Sequence, residues 1–125
     1  MKEKRDGLII NVSSWSGNHV SLLSGVSYTS SKHALNAMTE TINMKYCNLG
    51  IRATALCPGE VATAILDKRP KKLSIEQKNK MLQPDDLGQT IIFLCQMPKH
   101  VCINELTISP TWHRRYIADL GIEKL

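Results

Sequence analysis

The sequence predicts an α/β fold in which parallel strands are joined by crossover helices. Three observations predict it. Short apolar runs of strand length alternate with longer segments of helical periodicity. Gly and Pro punctuate the borders between them. The 125 residues suffice for one domain and not two.

The elements follow in order. Residues 7–13 (GLIINVS) read as a strand, and its apolar run, which does not alternate, suits a strand covered on both faces. Residues 14–27 are rich in Ser and Gly and read as a loop. A helix is expected over about residues 28–48, with Leu35, Met38 and Ile42 at helical spacing as core or as a subunit contact. Gly50 stops it. Residues 51–57 (IRATALC) form a second strand that ends at Pro58-Gly59, with Arg52 and Thr54 read as structural. Residues 61–80 are polar and basic and read as a flap with a short helix. Pro84-Asp85-Asp86 opens a further helix carrying Leu87, Ile91, Leu94 and Cys95, with an acidic group favouring its positive end. Pro98 ends it, and residues 105–108 (ELTI) form a third strand. Residues 112–125 read as a terminal extension that packs on the surface or frays.

Composition narrows the function classes. The chain is 42% hydrophobic and 22% charged, as expected of a folded segment. Its net charge of +5 is spread over local clusters at residues 2–5, 68–72 and 113–115, read as solvated loops and ends. Stacking aromatics are not interleaved with them, which argues against a nucleic-acid surface. The apolar runs are too short to span a bilayer, and no signal peptide is expected. Cys47, Cys57, Cys95 and Cys102 show no C-x-x-C spacing and read as reduced, mostly buried thiols of a cytoplasmic protein. The four histidines show no ligand spacing, so no metal site is expected.

One local pattern carries chemistry. Tyr28 and Lys32 are four residues apart in a predicted helix and share a face. A cation beside a phenol favours the phenolate, and such a pair suits proton transfer to or from an alcohol oxygen.

A longer set of words extends this pattern. In order they are Ile10-Asn11-Val12-Ser13-Ser14, Tyr28-Thr29-Ser30-Ser31-Lys32-His33-Ala34-Leu35, Gly50-Ile51-Arg52-Ala53-Thr54, Cys57-Pro58-Gly59-Glu60-Val61-Ala62-Thr63, Gln83-Pro84-Asp85-Asp86-Leu87 and Asn104-Glu105-Leu106-Thr107-Ile108-Ser109-Pro110-Thr111. Together they resemble the later half of the short-chain dehydrogenase/reductase family. The resemblance implies a Rossmann-like sheet, here the C-terminal part of a doubly wound fold with about three strands and two to three main helices. It also implies an NAD- or NADP-dependent oxidoreductase that interconverts a carbonyl and a secondary alcohol of a small molecule.

The resemblance further assigns roles. Tyr28 is the acid/base. Lys32 assists it and binds the nicotinamide ribose. Ser14 holds the substrate oxygen, with Ser13 as the competitor. Pro58 and Gly59 let the backbone approach the nicotinamide, and Val61 and Thr63 bind its carboxamide. Trp15 and His19 are read as pocket lining or surface, and Glu60 as a solvated turn residue. A homo-oligomer is implied for the intact family member.

The family's Gly-rich phosphate-binding turn has no counterpart in these residues, nor does the residue that selects NAD or NADP. On this reading Met1 is an internal methionine of a longer ancestor, and a reading frame continuing upstream is expected. Two rivals stand beside the enzyme: an inactive fragment acting as a subunit-binding module, and an extended epimerase or dehydratase, which the short tail after Pro110 disfavours.

Overall fold

A computed structural model describes residues 1–68 and 72–121. Three parallel strands form one sheet in the order β1 (Gly7–Val12), β2 (Ile51–Pro58), β3 (Glu105–Ile108). Helix α1 (Val26–Tyr46) links β1 to β2. The short α2 (Ile75–Asn79) and the longer α3 (Pro84–Gln96) lie between β2 and β3, and α4 (Arg114–Asp119) follows β3. Each strand pair is therefore joined by a crossover containing helix, as parallel pairing requires.

The core sits on β2. Ala53, Leu56 and Cys57 are fully buried, with Ile51, Ala55 and Thr54 nearly so. Hydrogen-bonded on both edges and covered on its faces, β2 is buried along nearly its whole length even though Arg52 and Thr54 interrupt its apolar run. The similar run in β1 led to the same expectation, which the structure corrects. β1 is half-buried along its length and Val12 is 51% exposed. Its position at the sheet edge is the reason, since only β2 flanks it among the described residues.

Helix α1 packs on the sheet through a polar stripe. Asn11 Nδ2 donates to Thr39 Oγ1 at 2.9 Å, and Thr39 is 1% exposed. Asn43 reads both backbone groups of Ala53: its Nδ2 donates to the carbonyl at 2.7 Å and its Oδ1 accepts from the N–H at 2.6 Å. That amide satisfies β2 in the stretch before β3 begins to pair at Ala55. Leu35 and Ile42 are only half-buried and Met38 is exposed, so the apolar spacing does not mark the face turned to the sheet.

Both helix borders have local causes. A 3₁₀ turn (Cys47–Leu49) closes α1, and Gly50 follows with φ 67°. A Cβ there would run into the Arg5 carbonyl, so only glycine fits. At the start of α3, Asp86 Oδ2 accepts from the Gln83 N–H at 2.7 Å and Pro84 sits at the first helical position. Arg52 Nη1 donates to the carbonyls of Met97, Pro98 and Val101 at 3.1–3.3 Å, which fixes the exit from α3.

The flap over residues 61–80 contains a 3₁₀ turn (Ala64–Lys68) and α2, capped by Ser74 and Gln77; residues 69–71 lie outside the described residues. One further expectation is corrected. Cys47, Cys95 and Cys102 are exposed, and Cys57 alone is buried; all four are free thiols. In the terminal extension, expected to pack or fray, His113 and Ile117 are buried, so this part of it packs.

Candidate active site

The candidate residues converge at the C-terminal ends of β1 and β2, with α1 supplying the other side. β1 ends at Val12, and Ser13 and Ser14 follow it into a 3₁₀ turn (Trp15–Gly17). Ser13 N donates to the Leu56 carbonyl at 2.7 Å, so the backbone stays on the sheet to this point. Ser14 is 9% exposed and caps the turn, its Oγ accepting from the Ser16 N–H at 3.1 Å.

Tyr28 stands in the first turn of α1 and is 46% exposed. Lys32, one turn later, places its ammonium 5.6 Å from the Tyr28 ring centroid. The same Nζ donates to the Val12 carbonyl at 3.0 Å. Ser13 Oγ donates to the Lys32 carbonyl at 3.3 Å. Two hydrogen bonds therefore join the strand end that delivers Ser14 to the helix turn that carries Tyr28 and Lys32. Of the competing serines, Ser13 turns its hydroxyl to the α1 backbone.

Packing explains why the turn lies so close to α1. A Cβ on Gly17 would fall 2.7 Å from Ser13 Oγ and 2.8 Å from Asn36 Nδ2. Asn36 also donates to Asn18 Oδ1 at 2.7 Å, and Asn18 donates to Glu105 Oε1 at 2.6 Å. This bridge from α1 through the turn to β3 was not read from the sequence. Its signal was there: Asn36 lies four residues after Lys32, on the same helix face.

Pro58 closes β2, and Gly59 N donates to the Ile108 carbonyl at 2.8 Å. The close approach at Gly59 is to its own chain, since a Cβ would meet Pro110 Cδ at 3.1 Å and Ser109 Oγ at 3.2 Å. Val61 pairs with Leu82 in an isolated parallel bridge, and Thr63 is exposed just before the 3₁₀ turn at residue 64. Glu60, expected to be a solvated turn residue, is 3.2 Å from Arg114 with its side chain 23% exposed. Trp15 is buried and stacked on His19, with ring centroids 3.9 Å apart, so it is not a surface residue. An open cavity of about 640 Å³ lies at the exit of β3, lined by Leu82, Asp86, Thr90, Ser109, Pro110 and Trp112. It borders the Gly59 turn but contains neither Ser14, Tyr28 nor Lys32.

The buried Cys57 thiol beneath the site is pushed up from its ordinary pKa, first by burial and then by the Glu105 carboxylate. Such a thiol stays protonated and unreactive.

A family model described as short chain dehydrogenase matches residues 1–74. The chain belongs to the short-chain dehydrogenase family. Human dehydrogenase/reductase SDR family member 11 is 35% identical over 121 residues, covering 89% of this chain and 46% of that protein. An uncharacterized oxidoreductase of Staphylococcus aureus is 31% identical over 110 residues, covering 88% and 45%. Among solved structures, a betaketoacyl-[ACP] reductase from Bacteroides thetaiotaomicron superposes with a TM-score of 0.71 at 34% identity, covering 94% of this chain and 45% of that one. An alcohol dehydrogenase from the archaeon Thermococcus sibiricus, complexed with 5-hydroxy-NADP, superposes with a TM-score of 0.73 at 26% identity, covering 90% and 45%. The chain spans about half the length of the relatives it matches. Both the family assignment and the Rossmann-like fold agree with the sequence reading. Among the described residues, no helix is long and apolar enough to cross a membrane.

Proposed function

We propose that this chain carries the proton-transfer half of an NAD- or NADP-dependent oxidoreductase that interconverts a carbonyl and a secondary alcohol. One observation carries the reading: the Lys32 ammonium lies 5.6 Å from the ring of a solvent-reachable Tyr28 and is tied to the strand end that delivers Ser14. The relative complexed with 5-hydroxy-NADP supports the cofactor class.

In reduction, Tyr28 gives its hydroxyl proton to the substrate oxygen as it becomes an alkoxide; in oxidation it takes that proton back. Lys32 places positive charge beside the phenol, where it favours the phenolate left behind. Ser14 holds the substrate oxygen with its hydroxyl, whose bond among the described residues is one it accepts, leaving the O–H to donate. A bound nicotinamide supplies the hydride chemistry. Lys32 would hold its ribose, and Pro58, Gly59, Val61 and Thr63 its carboxamide side. The exposed first turn of α1 and the exposed Thr63 leave both positions open to a ligand. The protein is read as cytoplasmic, and the Leu35–Met38–Ile42 face of α1 as a contact between subunits.

Titration with NADPH and NADH, followed by the fluorescence of Trp15 and Trp112, tests the reading. Saturable binding supports it. A folded chain that binds neither favours a non-catalytic interaction module, a reading to which the half-exposed edge of β1 lends weight.

A further inference from the structure

The segment after β3 is built into the turn that carries Ser14. His113 is 7% exposed, and its ring centroid lies 5.0 Å from that of Trp15 and 4.4 Å from that of Tyr116. Trp15 immediately follows Ser14 and stacks on His19 at an interplanar angle of 7°. The Trp15 carbonyl accepts from the N–H groups of Asn18 and His19, and His19 Nδ1 lies 3.2 Å from the same oxygen. Arg115 lies over the Trp15 ring, 5.4 Å from its centroid. Ile117, 8% exposed, seats α4, and Arg114 reaches Glu60 at 3.2 Å. The stack is a continuous connection from the C-terminal segment to the residue beside Ser14.

We propose that His113 is a positioning residue for the Ser14 turn: its neutral ring clasps Trp15 in place, and the clasp opens when the ring takes up a proton. The inference rests on the assignment of Ser14 to the active site.

The physical argument starts from burial. His113 Nδ1 is buried with no hydrogen-bond partner among the described residues, so a proton added there meets no acceptor. The charged and titratable groups acting on the ring are His19 beside the Trp15 turn, Glu60 after β2, and Arg115 and Tyr116 on its own segment. Glu60 is the one anion among them, and it already engages Arg114. Burial holds the His113 imidazole below its ordinary value; Glu60 opposes this, while His19 and Arg115 add to it. The released ring therefore binds protons more readily than the docked one. Docking is at full strength above about pH 6.5 and weakens as the pH falls through the lowered docked value.

The test uses the full chain with Trp112→Phe, so that Trp15 is the sole indole. Above pH 7, Trp15 emission is expected to be blue-shifted and shielded from iodide. Below about pH 6.5 it shifts to the red and loses its shielding, while far-UV circular dichroism keeps the sheet and α1 signal. Amide exchange at residues 14–17 accelerates over the same range. Adding His113→Phe keeps the aromatic packing and removes both acid transitions; adding His19→Phe leaves them in place. Ile117→Asp, which unseats α4, exposes Trp15 at every pH. The proposal is overturned if the parent shows no transition, or if the transition persists in His113→Phe. It is equally overturned if Trp15 stays shielded in a folded Ile117→Asp chain, or if exchange at residues 14–17 does not follow Trp15. These readings need neither cofactor nor turnover. A chain that binds no NADPH yet shows the transition loses its redox assignment and keeps the clasp.

Discussion

The two ends of α1 are built to different rules. Its later half is held by side chains that complete the sheet's own hydrogen bonding, through Thr39 and Asn43. Its first turn presents Val26 and Tyr28 to solvent, 84% and 46% exposed. Between them, Lys32 belongs to both, with one bond to the strand end and its charge beside the phenol. The difference teaches that the first turn can stay open because the later half is fixed. In the proposed role of Tyr28, that anchored half is what would position its exposed phenol.

The sharpest way to break this contrast is Tyr28→Phe. Removing the hydroxyl from the open end is expected to lower turnover by about 10²–10⁴-fold, with no change in circular dichroism or thermal midpoint. Steady-state kinetics with NADPH and a ketone panel reads it, and undiminished turnover removes Tyr28 from the chemistry. At the anchored end the losses appear as stability. Leu56→Ala, in the strand to which α1 is anchored but on the opposite sheet face, is expected to cost about 2–5 kcal/mol in urea unfolding, because Leu56 is completely buried. Asn43→Ala strands the N–H and carbonyl of Ala53 and is expected to cost about 1–3 kcal/mol, read as a lower urea midpoint at unchanged slope. Met38→Lys, on the exposed face, is expected to stay within about 0.5 kcal/mol. If instead it shifts the oligomeric state in light scattering, that face is a subunit contact.

The parts of this molecule that were legible are those decided locally. β2, β3 and α3 follow from apolar runs bounded by Gly50, Pro58, Pro84 and Pro98, and the structure places them within a residue or two of the expected borders. Tyr28 and Lys32 fall on one helix face as their spacing requires. The parts that were not legible depend on partners distant in sequence. The inner stripe of α1 is polar because Asn43 substitutes for a strand, and nothing near residue 43 announces Ala53. The edge position of β1 depends on which strands flank it, which an apolar run does not encode. His113 and Trp15 look like surface residues until α4 folds back on the turn, and Glu60 looks solvated until Arg114 arrives with it.

Arg52 carries a separate consequence. One guanidinium nitrogen gathers three carbonyls from residues 97–101, and no strand or helix holds the chain from there to residue 104. That stretch is a strap, which Arg52 fastens together with the Lys99–Asp6 ion pair at 2.7 Å and the Cys102 thiol on Asn43 and Ala53. Limited digestion of an Arg52 variant should nick the chain there first, well before the rest of the molecule yields to protease.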